Sequence, residues 1–251
     1  MKAIADLPYA CRLGINKMNI QAYADDIVIY CPSRSGLQKL LNTAYSMLSA
    51  HGLKVNLDKT KIVHFRKRFG AGSRVVDFKL GDVNIENVPS VRYLGCLISH
   101  NLCDAEDIDR LKANFIKTTG MFYRKFNSID FNLKLKLFEV LCLNFYGSEL
   151  WYDSFGSNGA RKKFAIAYHV SLKKLLGLPK FFSNHLVCNS LEFLTFENRM
   201  NFNVLNFYYR LRDCSSICFA AHKVYFMRFS NMKKSINMLS LLKYDIADIL
   251  V

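Results

Sequence analysis

The sequence predicts an α+β fold in which short strands precede long helices. Up to about residue 103, β-branched and aromatic runs alternate with turn residues, which is typical of strands and hairpins. Beyond that point the apolar residues recur with a helical period over long segments. Only four Pro interrupt the chain, and this favours helices over a β-sandwich.

Residues 19–31 predict a β-hairpin with Asp25 and Asp26 in its tight turn, because apolar residues flank the acidic pair and a β-branched run follows it. Residues 33–51 then predict a helix. Ser33 or Ser35 is a candidate cap, apolar residues recur at helical spacing, and a glycine follows the last of them.

The next segments predict a small antiparallel sheet and then a helical region. Residues 55–56 and 60–65 are strand-like and a basic loop follows at 66–74, after which short strands at 75–80, 83–86 and 91–98 predict the small antiparallel sheet. Helices are predicted at 104–127, 130–147, 159–177 and 188–212, with further helix over 214–250. The change of character places a domain boundary near residue 103, which separates residues 1–103 from residues 104–251.

The charge of the chain favours a polyanionic partner. Lys and Arg number 35 against 20 Asp and Glu, which gives a net charge of +15. Such an excess attracts nucleic acid, although membrane-surface proteins are also basic. Basic residues alternate with aromatic ones at 117–126 and 161–164, where the aromatics either stack on bases or belong to the core.

Nothing in the sequence predicts a membrane or secreted protein. No apolar run reaches the roughly 18 residues of a membrane span. The first residues lack the apolar stretch of a signal peptide. The eight Cys contain no CxxC pair and indicate reduced thiols. We therefore expect an intracellular location, in the nucleus or cytoplasm.

The acidic turn is the strongest chemical signal. Asp is a poor strand residue, yet two adjacent Asp lie between apolar runs at Asp25 and Asp26. Carboxylate oxygens suit Mg²⁺, and a pair of such ions can activate a hydroxyl and stabilise a leaving pyrophosphate. The alternative is an ordinary Asp-rich turn.

The surroundings of this turn resemble a known family. The run YADDIVIYCPSRSGLQKLL, residues 23–41, resembles the YADD motif and following helix of reverse transcriptases of non-LTR retrotransposons. Other stretches resemble later segments of that family in the same order. They are GLKVNLDKTK (52–61) for the next palm motif, VRYLG (91–95) for the primer grip, and FYGSELW (145–151) and LLGLP (175–179) for the helical region.

The resemblance implies roles for individual residues. Asp25 would be a ligand of a catalytic Mg²⁺ (or Mn²⁺), and Asp26 would be the second, supporting carboxylate. Tyr23 would lie near the primer end, unless it is simply an aromatic of the sheet. Lys59 would lie near the incoming triphosphate and offset its charge, unless it is a solvated turn lysine.

The same resemblance assigns Tyr93, Leu94 and Gly95 to the primer grip, the alternative being an ordinary strand and turn. It implies a partial polymerase palm over residues 1–103 and a helical thumb and connection over residues 104–251. The family function is RNA-directed DNA synthesis, with an RNA template, a DNA primer and deoxynucleoside triphosphates as partners.

The sequence departs from the family pattern before the YADD turn. The family places another metal-binding aspartate on an earlier palm strand, and Asp6, the one Asp that precedes the turn, does not match that strand. We therefore expect a truncated polymerase that is inactive by itself. The alternatives are an inactive nucleic-acid-binding remnant and the product of a pseudogene.

Overall fold

The computed structural model describes residues 8–13, 16–65, 77–151 and 158–212. The predicted α+β fold is confirmed. The strands are β1 (Cys11–Leu13), β2 (Asn16–Met18), β3 (Ile20–Tyr23), β4 (Asp26–Ile29), β5 (Lys61–Ile62), β6 (Phe78–Leu80), β7 (Val83–Asn87), β8 (Ser90–Tyr93) and β9 (Cys96–Ser99). The helices are α1 (Arg34–Ala50), α2 (Ala105–Lys125), α3 (Phe131–Cys142), α4 (Asn158–Leu175), α5 (Asn184–Ser190) and α6 (Phe196–Arg212), with a 3₁₀ turn at Ser148–Trp151. The predicted loop at 66–74 and the predicted helix over 214–250 lie outside the described residues.

The chain divides into two compact units between Val91 and Arg92. The hairpin formed by β8 and β9 therefore belongs largely with the helices that follow it, because β9 contacts α2. The sequence groups this hairpin with the strands before it. The domain boundary near residue 103 stays a prediction.

Helix α1 forms where the sequence predicts it. Ser33 has an extended backbone, and its Oγ accepts a hydrogen bond from the N–H of Gly36 at 3.2 Å, which satisfies one of the free donors of the first turn. At the other end Gly52 has a φ of +72°, which lets the chain leave the helix. Leu40 and Ala44 bury the inner face.

The first unit has its core between α1 and the sheet. Five side chains form the centre of this core and are all at most 7% exposed: Leu41, Ile62, Phe78, Leu80 and Ile85. The sheet has the strand order β5-β7-β6, in which β6 and β7 form an antiparallel hairpin. Alternate residues of β6 are buried and exposed, as one covered face requires.

The predicted antiparallel sheet is partly wrong. β6 and β7 form an antiparallel pair as predicted, but β8 and β9 form a separate two-stranded sheet. Of the two strand-like segments before them, residues 55–56 are not a strand, and β5, for which the sequence predicted no partner, pairs with β7 in parallel. Val55 and Leu57 are apolar because they pack against the core from an irregular segment. A short apolar run has the same composition in a buried strand and in an irregular segment that packs on the core, so the sequence pattern alone does not distinguish the two.

The second unit is built around packed aromatic rings. The buried rings are Phe115, Phe122, Phe138, Phe145, Trp151, Phe164, Tyr168 and Phe196. Their centroids lie mostly 5.0–6.5 Å apart at tilted or edge-on angles, the arrangement that aromatic quadrupoles favour. The hydroxyl of Tyr168 donates to the carbonyl of Leu194 at 2.6 Å, so this buried polar atom has a partner.

Two of the predicted helices are interrupted. The segment 130–147 is helical to Cys142 and then turns through Gly147, whose φ is +86°. The segment 188–212 is broken after Ser190, where Glu192 has a φ of +55° and the N–H of Phe193 bonds back to the carbonyl of Cys188 at 2.9 Å. Both breaks bury apolar residues, so the apolar spacing continues through them and hides them from the sequence.

We expect Gly36→Ala to destabilise the first unit by about 1–3 kcal/mol through overpacking. A Cβ at Gly36 would lie 2.7 Å from the Sγ of Cys31, 2.7 Å from the Oγ of Ser33 and 3.0 Å from the Cβ of Tyr9. Urea denaturation monitored by circular dichroism measures the change in the free energy of unfolding.

The matched control is Gly120→Ala in α2, where nothing lies within 4 Å of the added Cβ. Alanine is the better helix former by about 0.5–1 kcal/mol, so this change should stabilise. Equal effects of the two substitutions would contradict the close packing at Gly36.

Candidate metal centre and nucleic-acid interface

The acidic pair lies at one end of a two-stranded hairpin. In the β3–β4 register Ile20 pairs with Ile29 and Tyr23 pairs with Asp26, so Ala24 and Asp25 form the two-residue turn. The prediction of a hairpin with its acidic residues at the tip is confirmed, with one correction. Asp26 is the first residue of β4 rather than part of the turn, because a two-residue connection fits the twist of paired strands.

The turn holds a non-glycine residue in the left-handed region. Ala24 has a φ of +50°, whereas Asp25 does not have a positive φ. A positive φ at the first central position is typical of a type II′ turn, where glycine is the preferred residue. The conformation costs about 1–2 kcal/mol for an L-residue and persists because the flanking strands are paired.

The tip is exposed while the base of the hairpin is fixed. Asp25 and Asp26 are both exposed, and the side chain of Tyr23 is 68% exposed. At the base the N–H of Tyr30 donates to the carbonyl of Asn19 at 2.8 Å, and Asn19 is buried. The acidic residues are therefore presented to solvent from an ordered support.

The donor set at the tip fits one hard cation. Two carboxylates supply the oxygen ligands that Mg²⁺ and Mn²⁺ prefer, and an exposed position leaves room for water in the remaining coordination sites. Within the described residues no group of three or more His, Cys, Asp or Glu side chains is arranged to hold a metal ion.

Lys59 lies on a different turn, which Asn56 organises. The Oδ1 of Asn56 accepts from the N–H of Lys59 at 3.1 Å, and its carbonyl accepts from the Oγ1 of Thr60 at 2.8 Å. These bonds explain why Asn and Thr occur at this spacing, since each stabilises the turn locally. The side chain of Lys59 is exposed and free to reach an anion.

The second predicted site is a hairpin turn. Leu94 has a φ of +44° and Gly95 a φ of +85°, the pattern of a type I′ turn between β8 and β9. Tyr93 is half-buried at the end of β8. A Cβ at Gly95 would lie 3.2 Å from the ring of Tyr146, so glycine also allows that ring to approach the turn closely.

A buried carboxylate that the sequence analysis did not single out anchors this hairpin. Asp107 is 2% exposed, and its Oδ1 accepts from the N–H of Leu97 in β9 at 2.9 Å. Its Oδ2 accepts from the indole N–H of Trp151 at 2.8 Å, and Arg110 neutralises it at 2.6 Å. An Asp in the first turn of an amphipathic helix is expected to be exposed and to interact with the helix dipole, so nothing in the sequence indicated that Asp107 is buried.

The segment 145–151 completes the anchor. Gly147 lies so close to β9 that a Cβ would be 2.5 Å from the Sγ of Cys96. Tyr146 lies against the turn of the hairpin, and Trp151 bonds to Asp107. The motif FYGSELW therefore serves to hold the β8–β9 hairpin on the helical unit.

The basic clusters separate into a buried and a charged part. Phe122 and Phe164 are core residues, whereas Arg124, Lys125, Lys162 and Lys163 are exposed. The sequence left open whether the aromatics of these clusters stack on bases or belong to the core. Phe122 and Phe164 belong to the core. The lysines and arginines remain available for phosphate contacts.

Comparison with known proteins assigns the part of the chain that holds these sites. Residues 2–98 match the family described as reverse transcriptase (RNA-dependent DNA polymerase). Over 81 residues the chain is 34% identical to the retrovirus-related Pol polyprotein from type-2 retrotransposable element R2DM of Drosophila melanogaster. The alignment covers 32% of this chain and 8% of that polyprotein.

The chain carries a reverse transcriptase segment of the non-LTR retrotransposon type. Every site residue predicted from the sequence lies inside the matched part of this reverse transcriptase segment, which ends within β9. The family transfers nucleotides on a nucleic acid template with the help of divalent cations. The helices α2–α6 follow the matched residues.

Two buried cysteines lie in the helices that follow the reverse transcriptase segment. Burial raises the pKa of the Cys142 thiol to about 12 and that of Cys188 to about 11, so both are protonated at neutral pH and are poor nucleophiles. Among the described residues no helix is both long and apolar enough to span a bilayer.

Ala24→Gly should stabilise the reverse transcriptase segment by about 0.5–1 kcal/mol, because relief of the left-handed strain exceeds the additional entropy that glycine loses on folding. The control Ala22→Gly, at a paired position of β3, should destabilise by about 0.5–1 kcal/mol. Thermal unfolding of the three proteins measures both effects. A lower melting temperature for Ala24→Gly would contradict the turn geometry.

Trp151→Phe should destabilise by about 1–3 kcal/mol, because it removes the indole donor from the buried Oδ2 of Asp107. A double-mutant cycle with Asp107→Asn tests the pairing itself. Denaturant titrations should give a coupling energy of about 0.5–3 kcal/mol. If the two substitutions change the free energy of unfolding additively, Trp151 stabilises the fold by its bulk alone and not by its bond to Asp107.

Proposed function

We propose that the exposed acidic tip of the β3–β4 hairpin is the palm metal site of an RNA-directed DNA polymerase. Asp25 is the principal ligand of a Mg²⁺ (or Mn²⁺) ion and Asp26 is the supporting carboxylate. The observation that carries the proposal is a pair of adjacent exposed carboxylates, Asp25 in the turn beside the strained Ala24 and Asp26 at the start of β4, which strand pairing holds in place. Strained backbone positions cluster at functional sites.

A divalent cation bound there supplies charge neutralisation for the phosphates and lowers the pKa of the attacking hydroxyl. The residues of this chain orient the reactants. Tyr23 pairs with Asp26 across the hairpin and exposes its ring beside the carboxylates, where it supports the primer end. Lys59 lies on the turn that Asn56 stabilises, and its ammonium group offsets the charge of the incoming triphosphate.

In this proposal the β8–β9 hairpin, with Tyr93, Leu94 and Gly95 at its turn, is the primer grip. Its turn residues, Leu94 and Gly95, have a type I′ conformation, and strand β9 is hydrogen-bonded to Asp107 of α2. A fixed turn can hold a primer strand in one register, since ordering it on binding costs little. The partners are an RNA template and a DNA primer, inside the nucleus or cytoplasm.

We also propose a second function for the 251-residue chain by itself, namely nucleic-acid binding without catalysis, and the observation that favours it is the net charge of +15. The described residues contribute two carboxylates at the tip and no third group to complete a metal cluster. Two-metal transfer requires more oxygen ligands than these to hold both ions against phosphate repulsion. Such a chain binds template and primer through its positive charge but does not join nucleotides.

The 251-residue chain should therefore show no primer extension on poly(rA)/oligo(dT) with Mg²⁺ or Mn²⁺. Without ligands that hold both ions, the reactants are no longer oriented for the reaction. Loss of that orientation alone removes roughly 7–11 kcal/mol of catalysis, so the rate declines by many orders of magnitude. Incorporation of labelled nucleotide, measured beside an Asp25→Ala variant, gives the answer.

Extension by the unaltered chain that disappears in Asp25→Ala would show that the chain is a competent polymerase and that the binding-only function is wrong. Adding upstream sequence that encodes a further palm aspartate should restore extension. If Asp25→Ala leaves the restored activity unchanged, the assignment of the metal site to the β3–β4 tip is wrong.

A further inference from the structure

A short turn after α4 exposes an aromatic ring and a lysine side by side. The N–H of Phe182 donates to the carbonyl of Pro179 at 3.1 Å, so the two central residues of the turn are Lys180 and Phe181. Phe181 is 90% exposed, the largest exposure among the exposed large hydrophobic side chains of the described residues. Lys180 is also exposed.

The turn is held in place by a buried lysine. The side chain of Lys173 is 6% exposed, and its Nζ donates to the carbonyl of Lys180 at 2.7 Å. The carbonyl of Lys173 also accepts from the N–H of Leu178 at 2.9 Å. Burial of an ammonium group costs free energy unless it gains partners, and here its partner is the turn itself. Phe181 is therefore presented from a fixed backbone.

The neighbouring charge indicates which partner such a ring meets. Lys is depleted from the cores of protein interfaces, because burying its hydrated ammonium group is costly. A lysine beside a fully exposed ring is instead suited to single-stranded nucleic acid, whose phosphates attract the charge and whose unpaired bases offer faces for stacking. The net charge of +15 agrees with that partner.

We propose that the turn Pro179–Phe182 is a stacking site for single-stranded nucleic acid, in which the ring of Phe181 stacks on an unpaired base and Lys180 contacts an adjoining phosphate. This inference rests on the proposed function in one respect, that nucleic acid is a partner of the chain. The site lies outside the residues that match the reverse transcriptase family. Duplex ends aside, paired bases hide their faces, so the site selects single strands.

Fluorescence anisotropy with the 251-residue chain tests the site. The probes are labelled oligo(dT), oligo(rU) and a hairpin duplex, each titrated at several salt concentrations. Phe181→Ala should weaken binding of the single strands by about tenfold, within the range for loss of one stacking ring. Binding of the duplex should change by less than about twofold, since phosphate contacts carry it.

Three variants serve as controls. Phe181→Trp should retain the affinity for single strands, because its ring stacks equally well. Phe131→Ala removes another exposed ring, 44% exposed at the start of α3, and should leave all three affinities unchanged. Lys180→Gln should lower the salt dependence for single strands by about 0.7 in the logarithmic slope, as for one lost phosphate contact.

The outcomes separate this inference from the proposed function. If the unaltered chain binds the probes but Phe181→Ala weakens none of them, or weakens the duplex equally, the stacking site is wrong and nucleic-acid binding stands. If the unaltered chain binds no probe at low salt, the proposed function fails as well. Loss of sedimentation with anionic vesicles in Phe181→Ala, with oligonucleotide binding intact, would identify a membrane contact and overturn the proposal.

Discussion

One buried carboxylate, that of Asp107, organises the structure around the β8–β9 hairpin. It accepts from the backbone of β9 and from the indole of Trp151, and it forms an ion pair with Arg110 of its own helix, so β9, α2 and the 3₁₀ turn meet on two oxygen atoms. A buried charge is tolerable only when it is neutralised and fully hydrogen-bonded. The contacts that satisfy the Asp107 carboxylate therefore also fix where the hairpin lies on the helical unit.

Both hairpins that carry predicted site residues turn through left-handed backbone at a non-glycine position. Ala24 does so before the acidic pair, and Leu94 does so before Gly95 in the second hairpin. Such residues cost energy that the surrounding pairing must offset. A two-residue turn places its side chains at an extreme of the sheet, where a polymer substrate has access to them. The strain thus accompanies exposure of the residues that we propose for the primer grip and the metal site.

The helical unit separates its two abundant residue types. Most of its aromatic rings pack on one another in the interior, while most of the lysines and arginines of its basic clusters face solvent. Phe181 departs from this division, since it is exposed on a turn that a buried lysine supports. A sequence in which basic and aromatic residues alternate does not show which rings stack on bases, because helical packing buries rings at the same spacing.

The sequence by itself determined the class of fold, the acidic hairpin, helix α1 and the reverse transcriptase resemblance, because these depend on local pattern and short motifs. Tertiary structure decided the rest. It moved the tight turn to Ala24–Asp25, made β5 a parallel strand, and broke two helices where buried apolar residues continue the helical spacing. It also revealed Asp107 and the support of Phe181. Those features depend on contacts between residues 44 positions apart or on the burial of a charge, and neither leaves a periodic signal in the chain.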